Sequence, residues 1–286
     1  MKLTNDKKIC IVGLGLIGGC YAMALSKKGY SVSAITKDKE SIEYALEKGI
    51  IEKGSCEVDA AIIGEADIVI FALYPHIFIE WVRENQHCFK SGATITDVTG
   101  VKCSVVYEIQ DMLRDDVEFI AAHPMAGREV YGVWNSDDSI FRDANFIVVP
   151  TDKNTAEKIE LCQSLGEELG FKDISVLSPE KHDEMIAFLS QLTHCIAVSL
   201  MCATDNPCLV HYTGDSFRDL TRIAKINDEM WSELFIENKD ALLREMDRFR
   251  LSFDKLYDTI KTDNRDEMRA MMRISTGRRA YFDVNK

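Results

Sequence analysis

Short apolar segments alternate with helical repeats through the first part of the chain. Segments of strand length lie at 8–12, 31–35, 67–72, 94–96, 119–122, 145–149 and 173–176. Between them, apolar residues recur at helical spacing over 17–28, 41–48 and 155–169. The segment 67–72 is apolar on both faces, which is typical of a parallel sheet covered by helices on each side. The alternation predicts an α/β fold with a doubly wound parallel sheet.

The pattern changes after Ser178-Pro179. Residues 180–203 predict one long helix that is apolar nearly all round in its middle, so we expect it to be buried on several sides. Helical repeats continue over 228–257 and 263–273. We therefore predict an α/β domain at 1–178 and an all-α domain at 179–286. A domain this small with such an apolar helix is expected to bury it against a second copy, which predicts a homodimer.

A glycine-rich segment joins the first predicted strand to the first predicted helix, with the spacing GxGxxG. Its first glycine permits a tight turn, its second lets the backbone approach a pyrophosphate, and its third lets helix and strand pack closely. The free amides of a helix N-terminus favour phosphate groups. We predict a Rossmann-type domain that binds a nicotinamide dinucleotide, with contacts from Gly13, Gly15, Leu16, Ile17 and Gly18.

The end of the second predicted strand lacks the expected acidic residue. An Asp or Glu there usually binds the ribose 2′-hydroxyl and repels a 2′-phosphate. This chain has Thr36 followed by Lys37, and Lys39 can also approach a phosphate. We therefore expect binding of NAD(P)+ with a preference for NADP+, through Thr36 and Lys37. If the strand ended two residues later, Asp38 would be the ribose ligand and the preference would reverse.

The composition narrows the functional classes. A formal net charge of -13 argues against nucleic acid and anionic membranes as partners, while one local arginine can still bind an anionic substrate. Nine cysteines without a CxxC pair predict buried, reduced thiols in a cytoplasmic protein, with no metal site. The start of the chain resembles an export signal, but its glycines have dinucleotide spacing and it continues into a helix and a strand.

His123 follows the predicted strand 119–122. Ligands of open α/β folds bind at the carboxyl ends of parallel strands, which is where this arrangement places the histidine. Its ordinary pKa suits proton transfer to or from a reacting hydroxyl. The residue type and place alone leave a packed, structural histidine as an equal alternative.

Four further strings carry a resemblance to a known family. They are Thr96-Asp97-Val98-Thr99-Gly100-Val101-Lys102, His123-Pro124-Met125-Ala126-Gly127 with Glu129, Ser190-Gln191-Leu192-Thr193-His194, and Phe217-Arg218-Asp219-Leu220-Thr221-Arg222-Ile223-Ala224 followed by Met230-Trp231. In their order and spacing they resemble the prephenate dehydrogenase family, over nearly the whole chain. The second and fourth strings are specific, whereas GxGxxG occurs in many families.

The resemblance implies oxidative decarboxylation of prephenate, a dicarboxylate, to 4-hydroxyphenylpyruvate in tyrosine biosynthesis. Arogenate, which would give tyrosine directly, is the alternative substrate. By the family pattern His123 takes the proton of the ring hydroxyl, and Arg222 binds a substrate carboxylate. Ser190 and His194 are the other catalytic candidates, one helical turn apart. Glu129 and Trp231 are substrate-side or gating candidates.

The sequence departs from the family pattern at two of these strings. Gly100 stands where the family commonly has a serine near the substrate hydroxyl, so either Thr99 substitutes for it or His123 works with less help. Thr193 stands where a proline is common. His182 and Asp183 also match a family string, but they lie at a helix start, where Asp183 could serve only the helix dipole.

Two other functional classes compete with this interpretation. A β-hydroxyacid dehydrogenase would need a catalytic lysine on the first long helix after the sheet, and 180–203 contains only Lys181, at its start. A non-catalytic redox sensor that binds the dinucleotide would not need His123, His194 and Arg222 to converge on one cleft.

Overall fold

A computed structural model describes the protein over residues 2–283. Strand β1 lies in the middle of the sheet that forms its α/β part. The strands are β1 Lys8–Val12, β2 Ser31–Ile35, β3 Lys53–Ser55, β4 Ile68–Phe71, β5 Thr94–Asp97, β6 Glu118–Phe119, β7 Ala121–Pro124, β8 Asn145–Val149 and β9 Asp173–Val176. The helices are α1 Leu16–Lys27, α2 Lys39–Glu47, α3 Ala60–Glu65, α4 Pro75–Asn85, α5 Cys103–Met112, α6 Ala156–Leu169, α7 Pro179–Ile186, α8 Leu192–Cys202, α9 Asp215–Thr221, α10 Asp228–Glu237, α11 Lys239–Lys261 and α12 Arg265–Arg279.

The first six strands form one parallel sheet in the order β3-β2-β1-β4-β5-β6. This confirms the predicted Rossmann-type, doubly wound sheet. β1 pairs with β2 on one side and with β4 on the other, so Ile11 lies between Ala34 and Ile70. The strand order reverses between β1 and β4. A crevice at the carboxyl ends of these two strands is where such folds bind their ligands.

The segment after β6 departs from the predicted sheet. β6 pairs in parallel with β5, but β7 pairs antiparallel with β8 in a second sheet that β9 completes. His123 therefore lies inside β7, opposite Ile147, and the prediction that it follows a parallel strand was wrong. Strand β3 escaped prediction because its sequence, Lys-Gly-Ser, has no apolar residue.

Apolar cores cover both faces of the parallel sheet. Along β1, Ile9 and Ile11 belong to one core and Cys10 and Val12 to the other, and all four are buried. Alternate residues of a strand point to opposite faces, so a strand that is buried on both sides is apolar at nearly every position. This explains why the strands of the first half could be read as unbroken apolar segments.

The long helix predicted over 180–203 is interrupted. α7 continues into α8 through a π-helical turn, Ala187–Gln191. The helix is also less buried than predicted, since Phe188 is 55% exposed and Met201 is 45% exposed. Among residues 2–283, Pro179–Cys202 is the one helix long and apolar enough to cross a membrane by length and composition, a test that core helices also pass.

The predicted helix over 228–257 ends early, because α10 and α11 meet at Asn238. Asn238 is buried and uses its side-chain amide to bind the Asp183 carbonyl and Gln191 Oε1, at 2.9 and 2.8 Å. The chain forms two compact units, 1–238 and 239–286. The first contains both sheets and the helices up to α10. Within the second, α11 and α12 pack on each other. The domain boundary at residue 178 stays a prediction.

The cysteines are all free thiols, but most are not buried. Cys10, Cys20 and Cys162 are buried, four are partly exposed, and Cys202 and Cys208 are exposed. The expectation of buried thiols was therefore wrong for six of the nine. No group of three or more His, Cys, Asp or Glu side chains that could hold a metal occurs over residues 2–283.

We expect Gly18→Ala to destabilise the protein through the contact of α1 with β1. A Cβ at Gly18 would lie 2.0 Å from the Gly13 carbonyl oxygen, a backbone atom that cannot move aside. Overpacking of this kind costs about 1–3 kcal/mol. Gly64→Ala in α3 is the control, since its Cβ would meet only the Cys88 carbonyl at 3.6 Å. Equal unfolding midpoints in denaturant for the two variants would contradict this packing role.

Candidate functional site

A cavity of about 710 Å³ opens at the carboxyl edge of the parallel sheet. Its walls are the segments that follow β1, β4 and β5, together with β7 and the loop after it. Helical residues between Ile186 and Leu234 close the opposite side. The cavity thus lies at the reversal of strand order, and it brings together residues that are distant in sequence.

The glycine loop forms one end of this cavity. Gly15, Leu16, Ile17 and Gly18 line it, whereas Gly13 lies beneath the loop with a φ of 97°. A Cβ at Gly13 would be 2.4 Å from the Ala72 carbonyl oxygen, and a Cβ at Gly15 would meet nothing within 4 Å. Gly13 therefore makes the tight turn, and Gly15 leaves open space above the loop.

The start of α1 fits a pyrophosphate. Gly15 is its N-cap and supplies no side-chain cap, and the first turn carries no acidic residue. The first amides of a helix have no intrahelical acceptor, and the helix dipole adds positive charge at this end. With open space above Gly15, these groups can hold the phosphates of a dinucleotide.

His123 ends a buried chain of hydrogen bonds. Its Nδ1 lies 2.8 Å from His182 Nε2, and His182 Nδ1 lies 2.7 Å from Asp183 Oδ1. An ionised Asp183 can only accept, so His182 donates from Nδ1 and its Nε2 accepts from His123. This sequence of donors leaves the Nε2 lone pair of His123 free, on a residue that lines the cavity.

The electrostatics agree with this pattern of protons. Burial, with His182 and Lys102 nearby, holds the pKa of His123 well below its ordinary 6.5. Burial also lowers the pKa of His182. For Asp183, burial alone would raise the pKa, but hydrogen bonds from His182 and Cys103 bring it below its ordinary value. The site therefore pairs two neutral imidazoles with a carboxylate.

Asp183 does more than the helix-dipole role considered from the sequence. Its carboxylate accepts the backbone amides of Lys102 and Cys103, at 2.9 and 2.8 Å, where α5 begins. The N-cap of its own helix, α7, is Ser178. Sequence analysis missed His182 and Asp183 as members of the site, although the adjacent pair matched a family string. No spacing rule connects them to a histidine 59 residues earlier.

Thr99 is not available to replace the missing serine. Its hydroxyl donates to Asp97 and accepts from Lys102 Nζ at 3.1 Å. At Gly100, a Cβ would lie 4.0 Å from His123 Nε2 and 3.4 Å from a methyl group of Leu234, which is ordinary contact. Of the two alternatives posed by the sequence, this geometry favours His123 working with less help.

The residues predicted to act on the substrate side do come together. Arg222 donates to Glu129 at 2.5 Å, across the rim of the cavity. His194 stacks on Trp231 with ring centroids 3.7 Å apart, and its Nδ1 donates to the Ser190 carbonyl at 2.9 Å. Burial lowers the pKa of His194, so its Nε2 is a free acceptor as well. Ser190 lines the same wall, where the helix makes its π turn.

Thr36 and Lys37 lie outside the walls of the cavity, directly after β2. β2 ends at Ile35 as predicted. Asp38, the alternative ribose ligand, is the N-cap of α2 and accepts from the Glu40 amide at 3.2 Å and from Ser41 Oγ at 2.5 Å. The carboxylate of Asp38 is therefore committed to its helix.

The chain matches two family models and several curated relatives. Residues 21–175 match "Prephenate dehydrogenase, nucleotide-binding domain" and residues 178–274 match "Prephenate dehydrogenase, dimerization domain". A prephenate dehydrogenase of Lactococcus lactis subsp. cremoris is 32% identical over 91% of this chain and 72% of its own length. A cyclohexadienyl dehydrogenase of Zymomonas mobilis is 29% identical over 92% of both chains.

A solved structure extends the likeness to the whole fold. It is a prephenate dehydrogenase from A. aeolicus in complex with hydroxyphenyl propionate and NAD+, which superposes with a TM-score of 0.87 at 28% identity, over 96% of this chain and 98% of that one. The likeness thus extends over nearly the whole of both chains. This chain is a member of the prephenate dehydrogenase family of oxidoreductases.

Proposed function

We propose that this chain oxidises prephenate to 4-hydroxyphenylpyruvate, with loss of carbon dioxide and reduction of NAD(P)+. The observation that carries the proposal is the free Nε2 of a neutral His123 at a cavity that also contains Arg222. A base that accepts a hydroxyl proton and a guanidinium that donates to a carboxylate are the two groups this reaction requires.

His123 acts on the ring hydroxyl of the substrate. An oxidised dinucleotide held at the glycine loop would supply the acceptor for the hydride of the hydroxyl-bearing carbon. His123 Nε2 accepts the proton of that hydroxyl, so the C–O bond can become a carbonyl as the hydride leaves. The ring carboxylate departs as carbon dioxide, and its bonding electrons complete the aromatic ring once the carbonyl oxygen regains a proton.

The bonds behind His123 stabilise the positive charge that this proton transfer creates. His123 Nδ1 donates to His182, which donates in turn to Asp183. A buried carboxylate that keeps its own charge stabilises an imidazolium without taking the proton, in the manner of a catalytic triad. His182 and Asp183 therefore orient His123 and fix its tautomer.

Arg222 binds a carboxylate of the substrate in place of Glu129. A planar guanidinium pairs with a carboxylate in bidentate fashion, and the exchange keeps its charge compensated. Glu129 and Trp231 then regulate entry to the cavity, and Ser190 and His194 contact the substrate from the helical wall. Arogenate is the second candidate substrate, because the Glu129 carboxylate at the rim can pair with its amino group.

We expect wild-type protein to turn over prephenate, and His123→Asn to lose ~10²–10⁴-fold in kcat with dinucleotide affinity unchanged. Because the pKa of His123 is held below 6.5, the acidic limb of kcat/KM should also lie below that pH. The measurement is dinucleotide reduction with prephenate and, in parallel, with arogenate. Turnover of arogenate alone would reassign the substrate, and dinucleotide binding without turnover of either would identify a sensor.

NADP+ is our proposed preference for the cofactor. Thr36 supplies a neutral hydroxyl at the end of β2, and Lys37 is exposed beside it. The one carboxylate of this loop, Asp38, is occupied as a helix cap. A 2′-phosphate would meet the positive charge of Lys37 here, and its bonds to α2 keep the Asp38 carboxylate from acting as the ribose ligand.

We expect a higher kcat/KM with NADP+ than with NAD+, and a reversal of roughly tenfold or more in Thr36→Asp, because a carboxylate there repels the 2′-phosphate. Thr262→Asp, at an exposed position of the other compact unit, adds the same charge as a control. A wild type that prefers NAD+, with the preference lost in Asp38→Ala, would refute the assignment.

We also propose a homodimer, formed through the helices after Pro179, in the cytoplasm. The helical wall exposes large apolar side chains, with Phe188 at 55%, Val210 at 68% and Tyr212 at 81%. Large apolar side chains exposed in such number are normally covered by a partner. The family model that matches these residues is described as a dimerization domain, and nine free thiols suit a reducing compartment.

Light scattering at micromolar concentration should give twice the chain mass of 32.4 kDa. Phe188→Glu should shift the equilibrium toward monomer, because it places a charge in the apolar contact. Val58→Glu introduces the same charge at a 42% exposed apolar residue of the α/β half and should leave the mass unchanged. A monomeric wild type would contradict the proposal.

A further inference from the structure

Lys102 is the buried charge that the reaction does not use directly. Its side chain is 0% exposed, and its ammonium reaches three oxygens. These are Asp97 Oδ2 at 2.7 Å, Thr99 Oγ1 at 3.1 Å and the Ala122 carbonyl at 2.7 Å. Three acceptors match the three N–H groups of a charged lysine, so every donor is satisfied.

Asp97 and Lys102 hold the backbone of one residue, Ala122, through both of its polar groups. Asp97 Oδ1 accepts the Ala122 amide at 3.1 Å, and Lys102 Nζ donates to the Ala122 carbonyl. That carbonyl belongs to the peptide bond that joins Ala122 to His123. The pair therefore fixes the backbone from which the His123 side chain extends, at the point where the chain passes from one sheet to the other.

Lys102 also takes part in the support of the His123 ring. Its backbone amide donates to Asp183 Oδ1, the same oxygen that accepts from His182. His182 in turn accepts from His123. The side chain of Lys102 thus acts on the backbone of His123, and its main chain acts on the imidazole through two intermediate groups.

We propose that Asp97 and Lys102 are a positioning pair for the reaction, holding the backbone and the ring of His123 in register with the cavity. The proposal rests on the proposed function for its catalytic consequence. A displacement of about 1 Å in a reacting group can cost on the order of 10²-fold in rate. Loss of the bonds that hold the His123 backbone should therefore lower kcat.

The charge of Lys102 has a second effect on the same histidine. Burial and His182 come first among the causes that lower the pKa of His123, and Lys102 comes next. The other charged or titratable groups around the ring are Asp97 beneath Lys102, Asp183 behind His182, and Glu129 and Arg222 at the cavity. Removal of the lysine charge should therefore raise the pKa of His123.

A purely structural role makes a different prediction. Removing one partner of a buried ion pair leaves an uncompensated charge and costs about 3–5 kcal/mol, whereas replacing both is often neutral. If the pair only stabilised the fold, a double variant that restores stability would restore activity as well. If it positions His123, stability returns without activity, because the Ala122 carbonyl still lacks its donor.

The experiment compares Lys102→Met, Asp97→Asn and the double variant with wild type. Lys158→Met is the matched control, since Lys158 Nζ binds Thr94 Oγ1 at 2.8 Å, at the other end of the strand that ends at Asp97. Unfolding in denaturant gives stability. Steady-state kinetics with prephenate gives kcat and KM, and ¹⁵N-histidine NMR gives the pKa of His123 whether or not the protein turns over substrate.

We expect the single variants to lose stability and the double variant to recover most of it. In the double variant kcat should stay at least tenfold below wild type, with both KM values within about threefold. In Lys102→Met the pKa of His123 should rise, moving the acidic limb upward, while Lys158→Met changes neither. A double variant with wild-type kcat would overturn the proposal, as would an unshifted His123 in Lys102→Met. Absence of turnover in wild type would refute the proposed function instead and leave the NMR result to decide this one.

Discussion

The arrangement of the site depends on the hydrogen bonds that the buried carboxylate of Asp183 accepts. This carboxylate belongs to α7, yet it accepts hydrogen bonds from the first amides of α5 and from the imidazole of His182. Burying an ionised carboxylate is costly unless charged or polar donors replace water, and three donors do so here. The same bonds that compensate its charge also attach the helical wall to the sheet and orient His123.

The cavity has a rigid base and an open rim. Beneath the reacting position, the groups that act through His123 are buried and fully hydrogen-bonded, so their geometry is fixed before any ligand arrives. At the rim, Arg222 and Glu129 are solvent-exposed, and an ion pair in water contributes little. The groups behind His123 are thus held by buried hydrogen bonds, whereas the ion pair at the rim can exchange partners at small cost.

Much of the fold could be predicted from the sequence, for a physical reason. β1 and β2 are buried on both faces or nearly so, and their bounds matched the predicted segments, as did those of β8 and β9. The antiparallel pairing of β7 could not be predicted, because a residue pattern reports which faces are buried and carries no information on strand direction. The π turn at Ala187–Gln191 was hidden for a similar reason, since one helical repeat looks like another over five residues.

The site itself was predicted in part. Glycine spacing predicted a dinucleotide loop and family strings predicted His123 and Arg222, and the fold brings these residues to one cavity. Local patterns do not encode contacts between residues far apart in the sequence. These contacts include the hydrogen bond of His123 to His182 and that of Lys102 to the Ala122 carbonyl. The hydrogen bond from Lys102 that occupies the Thr99 hydroxyl also depends on the fold.

Gly100 has a consequence for how this enzyme can change over time. A side chain there would find ordinary contacts and would face Nε2 of His123, the nitrogen whose lone pair is free. A small side chain at position 100 can therefore alter the surroundings of His123 without requiring the backbone to move. Most catalytic centres allow such adjustment only at a cost in stability, because their neighbours are packed. Here the fold has room for a Cβ at Gly100, so substitutions at this one position can change the basicity of His123 during evolution.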